Sequence, residues 1–477
     1  MSPKDMNEIV LIGGGLSAMM CAFSIKKRFP NYKVIIVENS NSIGGKYNSF
    51  IYDNNCYFDQ GMHVIYETCN PEIDSIYFEI MDETKWNVFE KNRKDVAGLF
   101  FNGHLQKYSH YIDLRNFDKA EFNQCISSVF STLGCDINDE TAEKLLRSHF
   151  GDFIYEKIHS KVLKNMYGIS GDKLSSLAIK LTALERIIVF DEDIMVDLMN
   201  SSYIRSKIAF PNQLALPDVR ENDQKALYPK KYGMIHFVKE FERKLESLGV
   251  TILKGVSVKS INMENKTASS ITITCKKQTN KNLELNNLIW TAGLPSLATG
   301  LGINFDDLTH EPGPRMIYVN FIFDKPLNSG ELYYFYCYDH GFATHRVTNY
   351  SEYCPDEKNN GIYRCCVELW PSKIGLMSED LTESKLIKLA LKELTFFSAI
   401  DSDHIVKFVR VETAVGRFPL PSKVNESSLN KLRSRIEEKN ITNLINIGVL
   451  SERQLFFLPE VLRDAFTKIN AKLGIYQ

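Results

Sequence analysis

The segment that decides the fold is residues 8–18, EIVLIGGGLSA, in which an apolar strand leads through three glycines into a helix-like segment. This order fits the G-x-G-x-x-A form of a dinucleotide-binding turn. Gly13 allows the tight turn, Gly15 lets the backbone approach a pyrophosphate, and Ala18 lets the helix pack closely on the strand. The segment therefore predicts the first strand, turn and helix of an α/β nucleotide-binding domain.

The start of this helix and the end of the next strand complete the predicted site. Leu16 and Ser17 open the helix, whose unpaired N–H groups attract the anionic pyrophosphate. Glu38 ends the strand VIIVE twenty residues after Ala18. A carboxylate at that place accepts hydrogen bonds from the two hydroxyls of an adenosine ribose and disfavours a 2′-phosphorylated cofactor.

Two motifs that follow, GGK at 44–46 and FDQGMH at 58–63, carry a resemblance to a known superfamily. In this order they resemble the flavin-containing amine oxidases, protoporphyrinogen oxidases, phytoene desaturases and UDP-galactopyranose mutase. The resemblance implies that the dinucleotide is FAD and that Gly45 and Lys46 lie by its ribitol and diphosphate. Lys46 stands where arginine is usual, so the charge is kept but the bidentate fork is lost.

The same resemblance implies residues by the flavin and the adenine. Gly61, Met62 and His63 are expected by the isoalloxazine. A later segment, with Tyr228-Pro229 and Gly233-Met234 before the helix-like HFVKEFERKLESLG, resembles the superfamily's middle stretch. There a valine near the next strand contacts adenine, and Val258 is the matching residue.

The last segment resembles the superfamily less evenly. The strand residues 445–447 and Gly448 are present, but Val449 replaces the usual polar residue after the glycine. Ser451, Glu452 or Arg453 would have to supply that group, and Glu452 is the expected cofactor contact. Pro459 and Glu460 suit a helix start that would face the flavin, with Glu460 in the first turn.

The resemblance also implies the fold class and the domain organisation. We expect an α/β protein with a Rossmann-like FAD-binding domain and an inserted α+β substrate domain. Residues 142–168 place apolar side chains at helical spacing, and residues 316–370 carry aromatic, alternating strand patterns. The expected parts are the FAD-binding domain at 1–70, 215–300 and 426–477, a helical insertion at 71–214, and an antiparallel-sheet substrate domain at 301–425.

Composition limits the partners of the protein. The 477 residues include 57 basic and 59 acidic side chains, a formal net charge of −2, so no general field favours nucleic acid. The ten cysteines are scattered without a C-x-x-C pair or metal-like cluster, which favours a reduced, cytoplasmic protein. We expect a small-molecule substrate, no metal and no integral membrane span. Peripheral membrane contact and the oligomeric state stay open.

Two residues are candidate catalytic groups. His63 would contact the flavin or relay a proton, or else it is a packed histidine that fixes its loop. Arg417 falls where related chains bring a loop over the flavin, and it would bind a substrate carboxylate or phosphate unless it is an ordinary surface arginine. No Ser-His-Asp order, zinc-ligand spacing or P-loop is present in the sequence.

The resemblance implies an FAD-dependent oxidoreductase of the amine oxidase type. Such an enzyme takes a hydride from a C–H bond beside an amine, hydroxyl or conjugated system and passes the electrons to oxygen or another acceptor. One alternative is a non-redox flavoenzyme like UDP-galactopyranose mutase, in which Arg315, Arg346 and Arg417 would serve a diphosphate. The other is a non-catalytic binding protein of the GDP-dissociation-inhibitor type, which the intact glycine turn and Glu38 disfavour.

Overall fold

The structure of the chain, a computed structural model, describes residues 8–52, 56–134, 136–217, 223–275, 278–375, 381–414 and 418–474. The strands are β1 (Glu8–Ile12), β2 (Lys33–Glu38), β3 (Ser49–Tyr52), β4 (Cys56–Asp59), β5 (Ile65–Tyr66), β6 (Trp86–Phe89), β7 (Ala97–Phe101), β8 (His104–Gln106), β9 (Ile112–Asp113), β10 (Ile187–Ile188), β11 (Ala226–Pro229), β12 (Thr251–Lys254), β13 (Val256–Glu264), β14 (Thr267–Cys275), β15 (Gln278–Glu284), β16 (Asn287–Trp290), β17 (Met316–Phe323), β18 (Tyr334–Cys337), β19 (Thr344–Asn349), β20 (Tyr363–Leu369), β21 (Val406–Ala414) and β22 (Leu444–Asn446).

Helices connect and cover these strands. They are α1 (Leu16–Arg28), α2 (Pro71–Ile80), α3 (Lys119–Ser131), α4 (Ala142–Ile154), α5 (Ser160–Tyr167), α6 (Leu177–Leu181), α7 (Glu192–Leu198), α8 (Ser202–Lys207), α9 (Ile235–Ser247), α10 (Leu294–Gly300), α11 (Tyr350–Tyr353), α12 (Pro355–Asn359), α13 (Glu383–Phe396), α14 (Lys423–Glu437) and α15 (Leu458–Lys472). Among the described residues, no helix is both long enough and apolar enough to cross a membrane.

The described residues divide into two compact units, each built from separated stretches of sequence. The first unit comprises Met1–Val88, Gln224–Thr309 and Ser427–Gln477, and the second comprises Phe89–Asp223 and His310–Glu426. The expected domain boundaries were 70/71, 214/215, 300/301 and 425/426. The first unit extends beyond residue 70 because helix α2 packs on α9 and α15.

The first unit is centred on a five-stranded parallel sheet with the order β12-β2-β1-β16-β22. Four consecutive residues of β1 and four of β2 are buried, as expected for a parallel sheet that is covered on both faces. Phe23 of α1 and Phe241 of α9 meet edge to face on one side, with ring centroids 6.0 Å apart. Because all five strands run in the same direction, their carboxyl ends meet at a single edge of the sheet.

Smaller sheets complete the first unit. Strands β5, β11 and β6 form one, β13, β14 and β15 form an antiparallel one, and β3 pairs with β4. The register of β5 and β11 places Tyr66 opposite Ala226, so the segment after the FDQGMH motif is joined to the segment at 226–229. Two stretches that are far apart in sequence are therefore neighbours in this unit.

The second unit contains a seven-stranded sheet with the order β21-β17-β20-β19-β18-β7-β8. Its pairs are antiparallel except β18 with β7. Register aligns Tyr318, Glu368, Arg346 and Tyr336 in one row across four strands, so these polar side chains lie on one face. The other face packs Phe100 and Phe335 against Phe397 at the end of α13.

The helices of the second unit enclose a separate apolar core. Of the five apolar residues expected on one side of a helix over 142–168, Phe150, Ile154 and Ile158 are buried there, whereas Leu145 and Phe153 are partly buried. The segment is nevertheless not one helix. It is interrupted at Gly151, whose φ of 82° no other residue type adopts easily, and by a π-helical turn at Tyr155–His159. A Cβ on Gly151 would lie 2.4 Å from Ser128 Oγ of α3, so this close approach explains the interruption.

The stretch 71–214 was expected to be a largely helical insertion, and the structure differs at its start. Residues 86–113 form strands β6–β9, and β7 and β8 join the seven-stranded sheet. Helical periodicity in the later part of the stretch could not indicate this, because β7 is completed by pairing with β18, more than two hundred residues further along the chain.

Candidate functional site

The glycine turn between β1 and α1 is held by close packing on one side and open on the other. Gly13 has φ 97°, and a Cβ there would lie 2.4 Å from Thr291 Oγ1, so only glycine fits. A Cβ on Gly15 would meet no atom within 4 Å. The backbone at Gly15 therefore borders open space, as a position that a ligand approaches closely must.

The first turn of helix α1 offers hydrogen-bond donors to that space. Within the described part of the chain, no side chain accepts a hydrogen bond from the amides of Leu16, Ser17 or Ala18, and the first turn carries no acidic residue. Helix α1 has 13 residues, so its N-terminus carries a substantial partial positive charge. These features together suit a bound anion such as a pyrophosphate.

Glu38, at the end of β2, is oriented by the turn itself. Its Oε2 accepts a hydrogen bond from the N–H of Gly14 at 2.6 Å, and its Oε1 accepts one from the N–H of Ser40 at 2.7 Å. The Ser40 hydroxyl also donates to Oε1. Oε1 therefore already accepts two hydrogen bonds, whereas Oε2 accepts one and retains acceptor capacity for a ribose hydroxyl.

The glycine pair at 44–45 lies against the first glycine turn. The Gly44 N–H donates to the carbonyl of Gly14 at 2.7 Å. A Cβ on Gly45 would come within 3.2 Å of the Gly15 Cα, and Gly45 has φ 58°. Lys46 follows in the short 3₁₀ helix Gly45–Tyr47, half-buried. The two motifs thus form one continuous glycine-lined surface.

The loop after β4 is fixed by Asp59, which is 1% exposed. Asp59 Oδ1 accepts hydrogen bonds from Ser49 Oγ at 2.5 Å and from the N–H of Met234 at 3.0 Å. Its Oδ2 accepts one from the Tyr228 hydroxyl at 2.6 Å. The sequence indicated this aspartate only as part of a motif, and its partners at 228 and 234 are visible only in the structure.

The three candidate flavin contacts begin two residues after Asp59. Gly61 is buried with φ 87°, whereas Met62 and His63 are half-buried. The His63 ring lies 5.4 Å from the ring of Tyr47, centroid to centroid, at an interplanar angle of 48°. Burial raises the pKa of the Tyr47 phenol well above its ordinary value, so this neighbour stays neutral. The histidine and the glycine-pair segment therefore share one surface.

Val258 lies on β13, which contacts β2, the strand that ends at Glu38. It is half-buried on β13 and packs against the apolar core of the first unit. Its neighbour Ser257 donates a hydrogen bond of 2.5 Å to Asn39, which follows Glu38 in sequence. This bond joins the strand that carries Val258 to the segment directly after Glu38.

In the C-terminal segment, the candidate cofactor contacts differ in whether the protein already provides their hydrogen-bond partners. Glu452 is about half exposed, and its Oε1 forms an ion pair with Lys468 Nζ at 2.6 Å. Glu460 accepts a hydrogen bond from the N–H of Phe457 at 3.2 Å, at the start of its own helix α15. Ser451 is different, because its hydroxyl is buried and has no partner among the described residues. An isolated buried hydroxyl is costly, so Ser451 is the better candidate for a ligand contact.

Of the candidate arginines, Arg346 lies on β19 in the second unit's sheet and Arg315 directly precedes β17. Arg346 binds Glu368 through two hydrogen bonds of 2.7 and 3.0 Å, and Glu368 is fully buried. Its positive charge is therefore already balanced. Arg315 is exposed, and Arg417 lies outside the described residues.

Comparison with known proteins supports this architecture. The family described as an NAD(P)-binding Rossmann-like domain matches residues 11–80. No curated protein sequence matches the chain.

Three solved structures share the fold over almost the whole chain. Reduced UDP-galactopyranose mutase has a TM-score of 0.74 at 16% identity, covering 99% of this chain and 96% of its own. A putative protoporphyrinogen oxidase from Exiguobacterium sp. 255-15 has a TM-score of 0.67 at 14% identity, covering 98% and 99%. Wild-type putrescine oxidase bound to putrescine has a TM-score of 0.58 at 11% identity, covering 98% and 99%. The predicted α/β fold class, with a Rossmann-like domain, is confirmed.

Proposed function

We propose that this protein is an FAD-dependent oxidoreductase. The observation that carries the proposal is the glycine turn at Gly15, which is open to a ligand and lies between the bare N-terminus of α1 and the oriented carboxylate of Glu38. Pyrophosphate and ribose require these two kinds of group at this separation along the chain. The shared fold with proteins named as oxidases supports FAD as the dinucleotide.

The residues of the first unit would hold the cofactor as follows. The amides of α1 bind the pyrophosphate, Glu38 binds the adenosine ribose, and Lys46 adds a positive charge near the diphosphate. Val258 contributes the apolar contact to the adenine. Gly61, Met62 and His63 border the ring system, and Ser451 offers a polar group in place of the one that is usual at position 449.

The proposed reaction is oxidation of a small molecule at a C–H bond beside an amine, a hydroxyl or a conjugated system. When bound, FAD supplies the hydride-accepting ring and passes electrons to oxygen or another acceptor. His63 is the proposed catalytic residue, since an imidazole accepts a proton from a substrate nitrogen or oxygen near neutral pH. Arg417 is the proposed contact to an anionic group of the substrate.

A mutase acting on a nucleotide sugar is the second candidate, because UDP-galactopyranose mutase has the TM-score of 0.74. The pairing of Arg346 with Glu368 weighs against it. An arginine already held by a buried carboxylate gives little net attraction to a diphosphate. A non-catalytic binding protein is disfavoured by the open turn at Gly15 and by Glu38, which serve a dinucleotide.

The test begins with the colour of the purified full-length protein. We expect a yellow protein, or one that becomes yellow on addition of FAD, and bleaching of its absorbance by one class among amines, alcohols and polyenes without oxygen. A protein that stays colourless with added FAD would contradict both enzyme proposals. A flavoprotein that no such compound bleaches, but that turns over a nucleotide sugar when chemically reduced, would favour the mutase.

A further inference from the structure

Asp59 joins the β3–β4 hairpin of the first unit to the segment at 228–234, which is distant in sequence. Its carboxylate receives hydrogen bonds from Ser49 of β3, from Tyr228 of β11 and from the backbone of Met234. Ser49 in turn accepts the N–H of Ile235 at 3.2 Å. Asp59 and Ser49 therefore accept hydrogen bonds from two backbone N–H groups at the start of helix α9, where a negative charge is favourable.

Helix α9 transmits this anchoring to the glycine pair. Val238 lies one turn into the helix, and its N–H donates to the carbonyl of Met234 at 3.1 Å. A Cβ built on Gly44 would lie 2.7 Å from Val238 Cγ1, so the valine packs directly on the glycine backbone. The position of Gly44, and with it Gly45 against Gly15, depends on where α9 begins.

Asp59 also fixes the start of the His63 loop, which shares one surface with the glycine pair. The loop that carries Gly61, Met62 and His63 begins two residues after it, and Gly61 needs a positive φ that a rigid start of the loop helps to maintain. One buried carboxylate thus sets both the loop with His63 and, through Met234 and Val238, the glycine pair.

We propose that Asp59 is the positioning residue of the cofactor site, fixing the distance between the glycine pair and the His63 loop. This inference rests on the proposed binding of FAD. Asp59 does not itself touch the flavin in this proposal. It acts through α9 and through the loop, so its loss changes the surroundings of the bound flavin as well as the stability of the unit.

The test compares Asp59→Asn with Asp74→Asn in the full-length protein. Asp74 is a matched control in the same unit, since it too is buried and it accepts hydrogen bonds from the Thr68 N–H at 2.7 Å and the Thr68 hydroxyl at 2.8 Å. Both substitutions are expected to lower the melting temperature. Only Asp59→Asn is expected to weaken FAD binding, by tenfold or more, and to shift the visible absorbance bands and midpoint potential of the bound flavin.

If Asp59→Asn does not fold, Tyr228→Phe tests the same inference with a smaller change. It removes the hydroxyl that donates to Asp59 Oδ2 and leaves the carboxylate in place. We expect a smaller change of the same kind in the flavin spectrum and in the dissociation constant for FAD. Flavin properties equal to wild type in a folded Asp59→Asn or Tyr228→Phe protein would overturn the inference while leaving the proposed function standing. A wild-type protein that binds no FAD would overturn the proposed function itself.

Discussion

The carboxylate of Glu38 accepts a hydrogen bond of 2.6 Å from the backbone N–H of Gly14, although the two residues are 24 positions apart. The bond joins the end of β2 to the glycine turn that follows β1. It fixes the direction of the carboxylate before any ligand arrives, and a group oriented in advance loses less entropy on binding.

Replacing Glu38 by glutamine is therefore expected to weaken FAD binding by about tenfold or more, since a charge-assisted hydrogen bond contributes about 1.5–3 kcal/mol. The amide oxygen can still accept from Gly14, but the amide NH2 group then faces the Ser40 N–H, so the apoprotein should also lose some thermal stability. Titration of the apoprotein with FAD, followed by fluorescence, measures the change. Glu79→Gln, at an exposed ion pair with Lys27, is the control and should leave the affinity unchanged.

Alanine substitutions at Gly13 and Gly15 should have opposite consequences. Gly15→Ala places a methyl group in open space, so we expect an apoprotein of normal stability with strongly reduced FAD affinity. Gly13→Ala places a methyl group 2.4 Å from Thr291 Oγ1 at a positive φ, so the fold itself should lose stability. Thermal unfolding without FAD and titration with FAD separate the two effects. Equal loss of stability in both variants would contradict the assignment of Gly15 to the ligand side.

Ser451 and Glu452 offer a second matched comparison. If the buried Ser451 hydroxyl contacts the cofactor, Ser451→Ala should weaken FAD binding by about fivefold or more, in line with about 1 kcal/mol for a neutral hydrogen bond. Glu452→Gln removes only a half-exposed charge that pairs with Lys468, so the affinity should change little. The opposite order of effects would restore Glu452 as the contact that the sequence predicted.

His159 should make the second unit sensitive to acid. It is fully buried beside Phe150, neither ring nitrogen has a partner among the described residues, and burial lowers its pKa to about 3. The unfolded chain protonates at an ordinary pKa of about 6.5. The contribution of the neutral histidine to the free energy of unfolding is therefore fully present above about pH 6.5. It is lost as the pH falls towards about 3, by up to about 1.4 kcal/mol per pH unit.

The variant His159→Leu removes this proton uptake on unfolding. Between pH 7 and pH 5 the wild-type free energy of unfolding should fall by about 2 kcal/mol more than that of the variant. Urea unfolding at each pH measures the difference. His104→Leu at an exposed position is the control and should keep the wild-type pH dependence. A variant as acid-sensitive as the wild type would show that another group titrates.

Much of the fold was predictable because its signals are local. A strand, a glycine turn and a helix within eleven residues specify a βα unit, and the strand ending at Glu38 supplies the next strand of a parallel sheet. The helix at 142–168 was only partly predictable. Its periodicity is local, but the break at Gly151 depends on the approach of Ser128 from another helix.

The sequence by itself predicted which residues would surround a dinucleotide, because the residues that form the turn, the helix start and the acidic strand end are close together in the chain. The tertiary structure decided what the remaining polar groups do. It gave Asp59 its partners at 228 and 234, used Glu460 for its own helix start, and neutralised Arg346 with Glu368. It also left the Ser451 hydroxyl buried with no hydrogen-bond partner among the residues that the structure describes. These roles depend on contacts between distant segments, and hydrogen bonding is set by distance in space rather than by separation in sequence.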